Sequence, residues 1–163
     1  MKEFSIQSLS RIINARPIKD SGVFTSVNTD SRNTRQGDCF FAIAGENFDG
    51  HEYVNDAFAK GAVCAVVGKD VKISKGAGKS VLRVEDTIKA LGDFAAEYRR
   101  IGNFKVVAIT GSVGKTTTRQ IIYHVLSQHF RVVQSPKSFN NNIGVPLTLL
   151  SAEPEDEIII SEL

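Results

Sequence analysis

The stretch that most constrains this chain is Val106 to Thr118, VVAITGSVGKTTT. Val106 to Ile109 is a short apolar run, mostly β-branched, which suits a buried strand of a parallel sheet. Thr110 to Lys115 brings two glycines and a lysine, and a helical pattern follows with Ile121, Ile122, Val125 and Leu126 on one face. Strand, glycine loop and helix together form the setting of a phosphate-binding loop. There Gly111 and Gly114 let the backbone approach an anion, while the loop N–H groups and the helix N-terminus add partial positive charge. Lys115 supplies a full charge for the β- and γ-phosphates, and Thr116 a hydroxyl for Mg²⁺.

The motif departs from the general pattern G-x-x-x-x-G-K-[ST]. Ile109 stands where the first glycine would fall, leaving T-G-S-x-G-K-T-T. The competing reading is a turn with a surface lysine, but Gly-Lys-Thr in this setting rarely arises without phosphate binding.

A chain of 163 residues allows one domain or two small ones. A net charge of +2 argues for neither nucleic acid nor membrane as a partner. No apolar run is long enough to span a bilayer, and the N-terminus MKEFSIQSLSRII lacks the apolar core of a secretory signal. Cys39 and Cys64 sit in apolar contexts, DCFFAIA and AVCAVV, which favours buried free thiols over a disulfide or metal pair. These features together suit a cytoplasmic protein.

Along the chain, Ser5 is placed to cap a helix carrying Ile6, Leu9, Ile12 and Ile13. Strands are expected at 23–29, 38–44, 62–67 and 81–84, with an exposed connection over 69–80. Helices are expected at 52–60, with Tyr53, Val54, Ala57 and Phe58 inward and Gly61 as its stop, and at 85–100. A domain boundary falls near 102/103. After the glycine loop come a strand at 131–134, a short helix with Pro146 as its first residue, and a strand at 157–163. So few strands make a poor core for a free-standing nucleotide domain, and the last strand is expected near an open edge. The chain therefore reads as an N-terminal piece of something larger.

Thr29 to Tyr53, TDSRNTRQGDCFFAIAGENFDGHEY, is the second informative stretch. Two strand ends lead into polar, glycine-bearing loops, and open α/β sheets commonly bind ligands there. Ser31 can donate to a uracil or phosphate oxygen, and Arg32 can pair with a carboxylate or pyrophosphate. Turns with a solvated arginine and a structural His51 are the alternative.

TGSVGKTTT resembles the ATP loop of the Mur ligase superfamily, whose folylpolyglutamate and cyanophycin synthetase members carry similar loops. DSR, GDCFFAIAGENFDGHEY and GAVCAVV are similar to the UDP-MurNAc-binding domain of its third-residue-adding and D-alanyl-D-alanine-adding members, and FNNNIGVPLTLL to the latter. The resemblance implies an α/β fold: a small UDP-sugar-binding domain over 1–102, then over 103–163 the incomplete start of a P-loop, Rossmann-like ATP-binding domain.

It further implies an ATP-dependent amide ligase acting in peptidoglycan synthesis. The stem-peptide carboxylate of UDP-MurNAc-tripeptide would become an acyl phosphate, which the amine of D-alanyl-D-alanine attacks. ATP and Mg²⁺ are the implied cofactors. Gly111, Ser112, Val113, Gly114, Lys115, Thr116, Thr117 and Asn141 would hold ATP, with Lys115 catalytic. Thr116 and Glu162 would hold Mg²⁺. Ser31, Arg32, Gly45, Glu46, Asp49 and His51 would flank the UDP-sugar. A third-residue ligase and a non-catalytic UDP-sugar or nucleotide-binding module are the alternatives. The family's carbamylated lysine, histidine ligand and closing domain would lie beyond Leu163, so the chain alone is expected to be inactive, and the full-length protein monomeric.

Overall fold

Short apolar strands alternating with capped helices build two units, Lys2–Phe94 and Ala95–Leu163 together with Met1, in the computed structural model. The structure describes residues 1–163 except 2, 18–20, 47, 75–78 and 137–138, and only the backbone of Arg16 and Pro17. The division falls inside a long helix, upstream of residue 102. Among the described residues no helix is long and apolar enough to cross a membrane.

In the first unit Ser5 ends β1 (Phe4–Ser5) and caps α1 (Ile6–Ile12), its Oγ accepting the Ser8 N–H at 3.1 Å. The strand expected at 23–29 is two strands in two sheets. β3 (Val23–Phe24) runs antiparallel to β1, whereas β4 (Ser26–Asn28) runs parallel to β5 (Asp38–Phe41). Thr25, at the break, gives its N–H to Gly37 O at 3.0 Å. The main sheet has the order β2 (Arg16–Pro17), β7 (Ser80–Arg83), β6 (Cys64–Val67), β5, β4, parallel except between β2 and β7. Every residue of β5 and β6 is buried, as the apolar runs 39–41 and 64–67 in a parallel sheet require, with the Asp38 carboxylate at the start of β5 satisfied by hydrogen bonds. Cys39 and Cys64 are register partners, free and buried as expected, and burial pushes the Cys39 thiol well up.

The helix expected at 52–60 starts as a 3₁₀ turn, Gly50–Tyr53, and continues as α2 (Val54–Ala59). The Asp49 carboxylate caps that turn by accepting the His51 N–H, which leaves Tyr53 outside α2 and 37% exposed rather than inward. Val54, Ala57 and Phe58 pack with Phe40, Ala42 and Val67. Gly61 has φ +112°, and a Cβ there would meet Gln36 Cα at 2.7 Å. α3 (Thr87–Gly102) starts where the Asp86 carboxylate accepts the N–H groups of Ile88 and Lys89.

The second unit contains β8 (Lys105–Ile109), α4 (Lys115–Leu126), β9 (Val132–Gln134), α5 (Gly144–Leu150) and β10 (Ile158–Glu162). The strands are parallel in the order β8, β10, β9. This corrects the open-edge expectation: β10 is the central strand, and all five of its residues are buried. The crossover from β8 through α4 to β9 leaves a gap one strand wide, which β10 fills. The core is Ile109, Ile158 and Ile160, with Ile122, Tyr123 and Leu126 packed on it from α4. Ile121 and Val125, expected on the same face, are each 59% exposed. Pro146 is the third residue of α5, not the first. It is tolerated because N–H groups of a first helical turn have no intrahelical partner.

Candidate functional site

β8 ends at Ile109 and the loop turns at Gly111 (φ +145°) and Gly114 (φ +79°). Gly114 is the cap residue of α4, and Lys115 is the first residue of that helix. A Cβ at Gly114 would meet nothing within 4 Å, so its backbone is what demands glycine. Gly111, Ser112, Val113 and Gly114 are exposed, Lys115 half-buried, Thr116 and Thr117 exposed. The Lys115 ammonium donates to Gly111 O at 2.7 Å. Short loop, glycine cap and helix N-terminus are the setting in which backbone N–H groups can face an anion, with the Lys115 ammonium at the start of the same helix.

Glu162 ends β10 in register with Ile109, the residue from which the loop departs. The Thr116 hydroxyl donates to Glu162 Oε2 at 3.3 Å. Sequence reasoning missed the group behind this carboxylate. Arg119, one turn along α4 from Thr116, is 3% exposed, and its Nε lies 3.2 Å from Glu162 Oε1 without the alignment of a hydrogen bond. Its guanidinium also donates to the carbonyl of Ser135 and, at 3.2 Å, to the Ser135 hydroxyl. The Glu162 N–H in turn donates to Ser135 Oγ at 3.4 Å. The signal available in sequence was an arginine at helical spacing from Thr116.

Asn141 is exposed, and its Oδ1 accepts the N–H groups of Ile143 at 3.1 Å and Gly144 at 2.8 Å. It closes the polar turn that leads into α5, whose cap position is Ile143. Gly144 is required by crowding: a Cβ there would meet Phe139 Cα at 2.5 Å.

In the first unit, the two polar loops leave the C-terminal ends of β4 and β5. Asp38 anchors the first of them, accepting the Ser26 hydroxyl and, at 2.8 Å, the Arg35 N–H. Lys60 holds the Ser31–Asn33 turn through Ser31 O at 2.9 Å and Arg32 O at 3.3 Å. Asp30 takes a forked pair of bonds from Arg32, which holds its carboxyl below the usual range.

The residues expected around one ligand divide between two clefts. Thr29 to Arg32 line a cleft of about 390 Å³ with Phe48 and Tyr53, whose rings stack at 5.5 Å. Asp49 and His51 line another, of about 340 Å³, with Gly68, Lys69 and Asp86. The turn containing exposed Gly45 and Glu46 closes through Gly45 N–H on Phe48 O at 2.7 Å. His51 is buried, and Gly68 N–H donates to its Nε2 at 2.8 Å. The proton therefore sits on Nδ1, which donates to Asp49 Oδ1 at 2.5 Å. Both ring nitrogens are engaged in holding the loop. Phe48 and Tyr53 were missed as cleft residues, although two aromatics within a polar glycine-bearing stretch were the available sign.

Two family models match consecutive parts of the chain: the Mur ligase family catalytic domain over residues 23–99 and the Mur ligase middle domain over 109–163. The chain belongs to the Mur ligase family. A UDP-N-acetylmuramoyl-tripeptide--D-alanyl-D-alanine ligase from Synechocystis sp. is 40% identical to it over 140 residues, 85% of this chain and 30% of that protein. A crystal structure of MurF from Acinetobacter baumannii matches with a TM-score of 0.90 at 33% identity, over 100% of this chain and 36% of that one. MurF from Thermotoga maritima, solved in complex with ADP, matches with a TM-score of 0.71 at 33% identity, over 84% and 31%. The chain spans about a third of the length of these Mur ligases. Its parallel sheets are those of the Mur ligase catalytic domain followed by the start of the middle, ATP-binding domain.

Proposed function

We propose that this chain supplies the ATP loop and the sugar-nucleotide loops of a cytoplasmic Mur ligase that adds D-alanyl-D-alanine to UDP-MurNAc-tripeptide. The observation that carries the reading is the Thr116 hydroxyl lying 3.3 Å from Glu162 Oε2, beside the lysine of a glycine loop. Hydroxyl and carboxylate oxygens are the donors a hard cation takes. Glu162 Oε1 lies 3.2 Å from the buried Arg119 Nε, which leaves Oε2 as the oxygen that faces the loop. Thr116 and Glu162 fit Mg²⁺, which would neutralise phosphate charge there.

The roles of the chain's own groups follow. Lys115 leaves the Gly111 carbonyl for the phosphates, and the N–H groups of Gly111 to Thr117 cradle them. ATP supplies the phosphoryl group that activates the acceptor carboxylate. The cleft of Thr29 to Arg32 with Phe48 and Tyr53 takes the uracil and pyrophosphate, the stacked rings offering an aromatic face and Arg32 a charge. Asp49 and His51 hold the neighbouring loop in shape. Relatives bearing the D-alanyl-D-alanine ligase name are 30 to 40% identical over 85 to 100% of the chain, which supports this acceptor pair.

The test is ATP-dependent coupling by the protein that carries this chain. D-alanyl-D-alanine should be joined to UDP-MurNAc-tripeptide. Coupling of a diamino acid to the dipeptide precursor instead, or nucleotide binding without turnover, would overturn the reading.

A further inference from the structure

The two oxygens of Glu162 have different neighbours. Oε2 faces the Thr116 hydroxyl at 3.3 Å, whereas Oε1 faces Arg119 Nε at 3.2 Å. Both side chains are buried, and Arg119 cannot swing away without breaking its bonds to the Ser135 carbonyl and hydroxyl. Ser135 Oγ in turn accepts the Glu162 N–H at 3.4 Å, so arginine, serine and carboxylate close on one another.

We infer that Arg119 is a positioning residue that makes Glu162 a one-oxygen ligand and thereby sets which cation the loop accepts. This rests on the reading of Thr116 and Glu162 as a cation site. Mg²⁺ requires near-octahedral geometry at short range and is served by single carboxylate oxygens. Ca²⁺ is larger and takes bidentate carboxylates at higher coordination number. A guanidinium held against Oε1 denies the second oxygen to the larger ion. Arginine is suited to this, because its rigid planar guanidinium bonds Ser135 through one nitrogen and thereby sets Nε against Oε1, a placement a single lysine ammonium cannot reproduce.

The experiment is a competition titration of Mg²⁺ and Ca²⁺ against Mn²⁺, read by electron paramagnetic resonance in the presence of ADP. It compares wild-type chain, Arg119→Lys, Arg119→Met and Glu162→Gln. Wild type should prefer Mg²⁺. Arg119→Met should shift the Ca²⁺ to Mg²⁺ affinity ratio by about tenfold or more toward Ca²⁺. Arg119→Lys, which keeps the charge and guards against a folding defect, should shift it in the same direction. A role limited to stability would lower the thermal midpoint or weaken both ions alike, and an unchanged ratio in both variants overturns the inference while leaving the cation site in place. Mn²⁺ binding that survives Glu162→Gln, or is absent from wild type, overturns the cation-site reading and the inference with it.

Discussion

The Lys115 ammonium rests on the carbonyl oxygen of Gly111 at 2.7 Å, bridging the start of the loop and the first residue of α4. That single bond to an exposed backbone oxygen is easily exchanged for phosphate oxygens. Lys115→Ala should therefore weaken ADP binding at least about tenfold, or about 1.4 kcal/mol. The thermal midpoint should stay near that of wild type, since no buried group loses a partner. Calorimetric titration and a melting curve check both halves; unchanged affinity would contradict the phosphate-loop reading.

The position of β10 has a direct consequence in hydrogen exchange. Its residues pair with β8 on one side and β9 on the other, and Leu163 N–H reaches Ile109 O at 2.9 Å. Amides of Ile158 to Glu162 should be the slowest to exchange in the second unit, slower than those of Val132 to Gln134 at the edge. Fast exchange in β10 would contradict this strand order.

The loop motif and its strand and helix were legible because their contacts are local: glycines at a forced backbone geometry, then a helix start. Strand order was not. The gap that β10 fills is created by a crossover and leaves no mark on the sequence EIIISEL, which reads equally as edge or centre. Helical periodicity located α4 but could not say which flank of its apolar stripe meets a three-stranded sheet; Ile122 and Leu126 do, Ile121 and Val125 do not. Arg119 reads as a solvated helix residue, because its partners Ser135 and Glu162 are remote in the chain. His51 holds its loop through the nearby Asp49 and also through Gly68, a residue on another strand end that no local pattern announces.

Asp49 gives the first unit an acid-sensitive anchor. The Lys69 ammonium above all, then the backbone N–H and ring of His51, hold its carboxyl well below its ordinary value of 3.8. A depressed folded-state value means the anchor stabilises fully above the unfolded value and loses its contribution as pH falls below about 4, where only the unfolded state takes up the proton. Asp49→Asn should melt lower than wild type near neutrality, with the difference narrowing toward pH 3. A difference that stays constant across that range would contradict the assignment.

The stacked pair Phe48 and Tyr53 is 48% and 37% exposed beside Arg32, an arrangement with no role in the core. Tyr53→Ala should leave stability within about 0.5 kcal/mol of wild type, as surface substitutions do. UDP affinity should fall about fivefold to tenfold, consistent with loss of an aromatic contact. Fluorescence or calorimetric titration with UDP decides, and undiminished affinity would remove the aromatic pair from the sugar-nucleotide site.

The most direct measurement is a residue-resolved NMR titration of the chain with ADP, first without and then with Mg²⁺. ADP should move the amides of Gly111 to Thr117 most. Mg²⁺ should add a shift at Glu162 that Glu162→Gln abolishes. No shift at millimolar nucleotide, or shifts confined to the loops at 29–33 and 45–53, would contradict the claim that this glycine loop and Glu162 form a magnesium-nucleotide site.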